Sequence, residues 1–176
     1  MHSDVQFKVK HRMINTVTGE FTKYTVDVDS SKPDFRDAVI RFEADVQSIT
    51  TKNEMRDGHL KSDDFFNAER FPTISFVSTA FTKTGDETFD LTGDFTIRDI
   101  TKSITLKGEF GGTILDFYGN TKAGFELTGK INRKEYGLQW NGVTEAGGGV
   151  VSDDVRLHLN VQLLKVVAAE QAVAIA

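Results

Sequence analysis

Apolar and polar residues alternate with period two along most of the chain, the pattern of a β-strand with one dry and one wet face. Val5, Phe7 and Val9 alternate with Gln6, Lys8 and Lys10; Ile40, Phe42, Ala44 and Val46 alternate with Arg41, Glu43, Asp45 and Gln47. The same rhythm carries Phe89, Leu91, Gly93, Phe95 and Ile97, and then Ile104, Leu106, Gly108 and Phe110. It returns in Ala123, Phe125, Leu127, Gly129 and Ile131, and in Val155, Leu157, Leu159, Val161 and Leu163. Two segments are less regular. Between Glu20 and Ser30, Phe21 lies on one parity and Tyr24, Val26 and Val28 on the other, which a bulge near Thr22 or Lys23 reconciles. Between Thr73 and Phe81, Ile74, Phe76, Ser78 and Ala80 share one face, and Val77 and Phe81 the other. The pattern predicts eight strands.

Thr84-Gly85-Asp86 and Arg98-Asp99-Ile100-Thr101 read as hairpin turns, so consecutive strands are antiparallel. Gly111-Gly112 and Gly147-Gly148-Gly149 read as looser loops. One stretch breaks the strand rhythm: Asn53 to Ser62 is polar and helix-compatible, with Asn53 as N-cap. A turn carrying Phe65 and Phe66 follows, and Pro72 ends the excursion. The expected fold is all-β: an eight-stranded antiparallel barrel with a helical excursion around residues 53–68. A two-sheet sandwich is the alternative. Residues 1–167 form the barrel domain, and 168–176 a tail that loses the alternation.

Composition narrows the function. The chain has 176 residues, a length that suits one domain. A net charge of −5 argues against a general binder of nucleic acid or anionic membrane. The absence of cysteine removes disulfides, thiolate metal sites and cysteine nucleophiles. No run is apolar enough for a membrane-spanning helix, so no stable membrane insertion is expected. Met1-His2-Ser3-Asp4 shows no signal peptide, so the expected location is cytoplasmic, or periplasmic if a leader has been trimmed. Phe is abundant, with 14 residues, while Pro occurs only twice, which suits sheet with a bulky interior.

The dry face also carries small residues: Ala44, Ser48, Ser78, Ala80, Gly93, Gly108, Ala123 and Gly129. Small inward residues remove volume from the bore, and an elongated apolar cavity follows if nothing else fills it. Glycine in a barrel strand also serves simply to let the sheet coil, with large neighbours filling the gap. Alternation alone does not choose between cavity and filled core.

Several stretches together resemble the YceI family of lipocalin-like, polyisoprenoid-binding proteins. They are His2 to His11; Ser48-Ile49-Thr50-Thr51 with Arg56 to Phe66; Phe71-Pro72-Thr73-Ile74-Ser75-Phe76; Gly93 to Lys102; and Ile131-Asn132-Arg133-Lys134-Glu135-Tyr136-Gly137-Leu138. The resemblance covers nearly the whole chain. It implies a bacterial barrel protein with a long isoprenoid lipid threaded through the lumen and no chemistry performed on it.

Among the polar residues, His11 shares the inward parity of Val5, Phe7 and Val9; it either meets a ligand head group or closes the barrel by hydrogen bonding. His59 and Asp63 stand at metal-ligand spacing on the predicted helix, but no third ligand is evident, which favours capping and ion pairing. No metal site is expected. His158 reads as surface, and Asp63-Asp64 as caps of the Phe65-Phe66 turn. Phe65, Phe66 and Phe71 form an aromatic cluster that either plugs one barrel mouth or packs under the helix. Arg98, Lys102, Arg133 and Lys134 lie at strand ends, either as solvated rim charges or as partners for a phosphate.

The expected function is non-catalytic binding, storage or transport of a long apolar isoprenoid, such as a polyprenyl or quinone tail. No cofactor is expected beyond that ligand, and no nucleic-acid partner. Homodimerisation through a barrel flank or the tail is compatible with the sequence. The expected lumen lining is Phe7, Phe42, Val46, Phe76, Phe89, Leu91, Phe95, Leu106, Phe125, Leu127 and Leu157, with Gly93, Gly108 and Gly129 supplying room. His11, Phe65 and Phe66 mark the mouth. Two other readings compete: an enzyme acting on an amphipathic substrate with His11 or His59 as base, and a stress-related barrel with a filled core.

Overall fold

The computed structural model describes residues 3–12, 14–32, 37–142 and 149–165. The tail 168–176 and the glycines Gly147 and Gly148 lie outside the described residues. The strands are β1 (Asp4–His11), β2 (Asn15–Phe21), β3 (Tyr24–Asp29), β4 (Val39–Asp45), β5 (Ile49–Thr50), β6 (Thr73–Lys83), β7 (Thr88–Ile97), β8 (Ile100–Leu115), β9 (Thr121–Asn132) and β10 (Val151–Leu164). One α-helix, α1 (Glu54–Leu60), and two single 3-10 turns (Val46–Ser48 and Arg133–Tyr136) complete the described elements.

All ten segments belong to one antiparallel sheet in the order β3-β4-β6-β7-β8-β9-β10-β1-β2-β5. β2 runs on into β3 across Thr22 and Lys23, and β4 into β5 across Val46–Ser48. Because β3 pairs with β4 and β2 with β5, the two ends of that order meet. The sheet therefore curls into a barrel of eight strand paths, two of them broken. The predicted barrel is observed, and the extra segments come from these breaks.

Each break has a local cause. At Thr22–Lys23 the amides turn from backbone pairing to Ser48: the Thr22 N–H donates to the Ser48 carbonyl and the Lys23 N–H to Ser48 Oγ. On the facing path the Asp45 carboxylate accepts from the Gln47 N–H and starts the 3-10 turn. Asn15 to Gly19 was not predicted as strand because only Val17 is apolar there, yet it pairs with β1.

Two further predictions are corrected. Gly111 and Gly112 are not a loop but lie within β8, at a register shift between Phe110 and Gly112. The φ of Gly112 is +108°, so the bulge uses a conformation that favours glycine. A second shift, between Ser78 and Ala80, reverses the parity of β6. Ala80 consequently faces out, and Phe81 turns in to stack on Phe89 at 4.6 Å between ring centres.

The helix predicted after Asn53 forms as α1, and its residues Met55, Arg56, His59 and Leu60 border one end of the barrel interior. Asn53 caps it, accepting from the Arg56 N–H at 3.0 Å. Asp57 accepts from the Thr51 N–H and hydroxyl, while Arg56 donates to the Thr51 hydroxyl and carbonyl. These bonds fasten the helix to the end of β5. The turn after it is held from the other side: Arg98 donates to the Asp63 carboxylate at 2.8 Å and to the Asp63 and Phe65 carbonyls. Asp63 and Asp64 are therefore not caps. Asp63 binds Arg98 and the Asn67 amide, and Asp64 binds His59.

Candidate ligand-binding chamber

Inward side chains from around the barrel surround an apolar chamber of about 440 Å³, within the usual range for small-molecule sites. Of the predicted lining, Phe7, Phe42, Phe76, Leu91, Phe95, Leu106, Leu127 and Leu157 face it. His11, Phe65 and Phe66 stand at its helix-covered end, where they were placed from the sequence.

Six predicted positions do not line it: Val46, Gly93, Gly108 and Gly129, and the two rings of Phe89 and Phe125. Val46 is buried in the 3-10 turn, where its N–H donates to the Pro72 carbonyl, because the strand stops at Asp45. Gly93, Gly108 and Gly129 do not open space into the chamber; the room each leaves is already taken by a neighbour. A Cβ on Gly108 would stand 2.2 Å from the Phe89 ring, one on Gly93 2.4 Å from Phe76, and one on Gly129 2.4 Å from Leu106. The glycines let large side chains lie flat against the wall instead of standing across the bore. Gly19 does the same for Phe7.

Phe89 and Phe125 line a separate, smaller space of about 40 Å³ toward the far end, together with Phe81 and Leu163. Leu91 and Leu127 border both spaces. At this far end the rings fill the bore. Phe89 meets Phe125 edge-on at 6.0 Å, and Phe125 meets Phe110 at 5.3 Å.

The covered end is more polar. His59 packs edge-on against Trp140 at 4.7 Å and Phe65 at 5.1 Å, and its Nε2 lies 2.8 Å from the Asp64 carboxylate. That contact turns His59 toward Asp64, while Asp63 is engaged with Arg98, so the metal-ligand spacing brings no ligand pair together. Among the described residues, no group of three or more His, Asp or Glu is placed to hold a metal ion. His158 lies on the outer face and contacts Glu126 at 2.9 Å.

Arg133 is the one fully buried cation found in the chamber wall among the described residues. Its Nε donates to the Ser152 carbonyl, Nη1 to the Leu138 and Trp140 carbonyls, and Nη2 to the Val151 carbonyl. Burial lowers its pKa, and Asp153 opposes that shift. With its donors engaged by backbone, Arg133 fixes the segment carrying Leu138 and Trp140 onto β10 and is not a rim charge. Arg98 is likewise occupied, and Lys134 pairs with Asp153 at 3.2 Å.

Trp140, Leu138 and Met55 also line the chamber but were not predicted. Trp140 is the only Trp in the chain, and it sits where no alternation marks a face. Phe71, predicted to join the mouth cluster, instead lies beneath the Arg70 and Arg98 guanidinium groups.

The comparisons agree with this architecture. The YceI-like domain profile matches residues 1–163. A UPF0312 protein of Staphylococcus aureus strain USA300 is 37% identical over 162 residues, covering 92% of both chains. The crystal structure of the Campylobacter jejuni YceI protein superposes with a TM-score of 0.76 at 31% identity, covering 90% of this chain and 91% of that one. A polyisoprenoid-binding domain from Saccharophagus degradans shares the fold, with a TM-score of 0.65 at 13% identity over 91% of this chain and 92% of its own. With the profile match over nearly its full length and a relative 37% identical across it, the chain belongs to the family of YceI-like domain proteins.

Proposed function

We propose that the protein binds a long-chain isoprenoid lipid, a polyprenyl or quinone tail, in the chamber and stores or carries it without transforming it. The observation that carries this reading is the apolar chamber of about 440 Å³ itself. Protein interiors are normally packed, and dry space of that size is costly unless something fills it. The Saccharophagus degradans domain of the same fold, described as polyisoprenoid-binding, supports the choice of lipid.

The mechanism is desolvation. Each methylene moved from water into the chamber contributes about 0.8 kcal/mol. The wall offers few polar groups that could recognise a tail by hydrogen bonds, and Arg133 is committed to carbonyls. Selectivity then rests on chamber length and on the groups at the covered end. The enzyme reading finds no support in His59, which pairs with Asp64 between two aromatic rings.

Native mass spectrometry of the purified protein tests the proposal. A co-purifying adduct of isoprenoid mass, lost on organic extraction, is the expected result. Protein that arrives empty and fails to take up added polyprenol would overturn it.

A further inference from the structure

We propose that the barrel meets an anionic lipid bilayer with its helix-covered end, through a basic patch beside a side opening of the chamber. This rests on the reading of the chamber as a lipid site and adds how that site is loaded.

The opening follows from the strand pairing. On the side away from β1, β2 is paired only at Glu20 and Phe21, with β5. Among the described residues, Asn15 to Gly19 have no strand neighbour on that side. The chamber wall includes Lys10, His11 and Val17 of the β1–β2 hairpin beside this unpaired edge, together with Asn53, Met55 and Arg56 at the start of α1. Two large apolar side chains at this end stand in solvent: Met55 is 87% exposed and Ile14 82%. Neither is explained by packing.

The charge pattern supplies the partner. Pairing sets Lys8 directly opposite Arg156, and Arg156 directly opposite Lys130, in one row across three strands of the outer face. Like charges placed directly opposite each other destabilise a sheet, so this row is a cost to the fold. All three are exposed. Exposed Lys10, Arg12 and Lys52 extend the patch to the opening, since Arg12 follows His11 and Lys52 precedes Asn53. Asp154, which contacts Lys130 at 3.7 Å, and Glu54 are carboxylates in the same region.

Toward the far end the sign reverses. Glu109 stands opposite Glu126, and the same row continues through Asn160 to Asp4. The chain as a whole carries −5, so net charge alone argues against an anionic partner. The uneven distribution overrides that argument locally: an anionic surface attracts the basic end, repels the acidic one, and turns the opening toward the membrane. The exposed Ile14 and Met55 then enter the interface, and a tail passes from bilayer to chamber with little exposure to water.

The test uses the full chain and a fluorescent polyprenol, presented in phosphatidylcholine vesicles with or without phosphatidylglycerol, and separately in detergent micelles. Uptake from the anionic vesicles is expected to be faster by about tenfold or more, and to slow with added salt. The Lys8→Glu/Arg156→Glu double variant keeps a like-charge pair between positions 8 and 156 and gains an opposite-charge pair with Lys130, so a loss of uptake does not come from a weakened sheet. It should lose that advantage while taking up polyprenol from micelles normally. Ile14→Ser should slow vesicle uptake several-fold with micelle uptake intact. Equal rates from both vesicle types, or a double variant as fast as the parent, would sink the docking proposal while leaving the chamber reading in place. A loss produced instead by Phe117→Ser in the β8–β9 hairpin would assign docking to the far end and overturn it equally. No uptake from micelles by the parent protein removes the chamber reading, and this inference with it.

Discussion

The two ends of the bore are built from the same alternating strands, yet one is open and the other filled. At the far end Phe81, Phe89, Phe125 and Phe110 pack ring against ring and leave about 40 Å³. At the helix-covered end the wall is mostly aliphatic, the rings of Phe65 and Trp140 pack against His59 of α1, and about 440 Å³ stays free. The difference is not the number of small residues. Gly108 lies under Phe89 near the filled end, and Gly19 lies under Phe7 beside the open one. What differs is the lining: aromatic rings packed against one another at the far end, mostly aliphatic side chains around the chamber.

Four variants probe that contrast, beginning with the greatest effect. Arg133→Met strands carbonyls that the guanidinium now satisfies on Ser152, Leu138, Trp140 and Val151. It should cost about 3 kcal/mol or more in urea unfolding and loosen the open end first. An unchanged midpoint would show that water serves those carbonyls as well.

Gly108→Val acts on the filled end. Its Cβ would collide with the Phe89 ring, displacing it into Phe125, at a cost of about 2 kcal/mol by the same measurement. The room that the sequence assigned to the lumen at Gly108 is already taken by Phe89. Leu157→Trp adds the bulk where there is space, beside the flat-lying Phe7 in the open chamber. Polyprenol affinity should fall about tenfold, or about 1.4 kcal/mol, with little change in stability. Unimpaired binding would place the ligand elsewhere.

Tyr136 gives the smallest effect. It is buried against Phe95, and its hydroxyl has no partner among the described residues. Tyr136→Phe should therefore be neutral or stabilise by up to about 1 kcal/mol at neutral pH. Burial, and secondarily the charge of Glu135, pushes the phenol from 10.0 up to about 12. The folded state holds this proton more tightly than the unfolded one. The associated stability is complete below pH 10 and falls as pH rises toward 12. The advantage of the Phe variant should accordingly widen above pH 10 in chemical denaturation, and a constant gap would contradict the assigned burial.

Much of this fold is legible in one dimension. Period-two alternation locates most strands, Asn53 announces α1, and the irregular parity at Phe21 and Tyr24 marks the break between β2 and β3. Legibility fails where a residue's face depends on something other than its own parity. The shift at Ser78/Ala80 exchanges Ala80 for Phe81 inside the barrel, and the off-parity Phe81 marks an irregularity without saying where the shift falls. Asn15 to Gly19 form a strand on the strength of pairing with β1 rather than of apolar content. Trp140 reaches the chamber because Arg133 holds its carbonyl, a contact across the segment that periodicity does not register.

The sequence by itself determined that this chain is all-β and antiparallel with an apolar inside, since alternating side chains leave a sheet with one face to hide and edges to close, by a barrel or a sandwich. It determined which residues face inward along strand stretches free of a register shift, and misassigned Ala80 and Phe81 beyond the shift in β6. Tertiary structure decided how much of the interior is empty. Volume is a property of several strands at once: the ring of Phe89 over Gly108 and that of Phe76 over Gly93 each involve a neighbouring strand, and register alone brings those partners together.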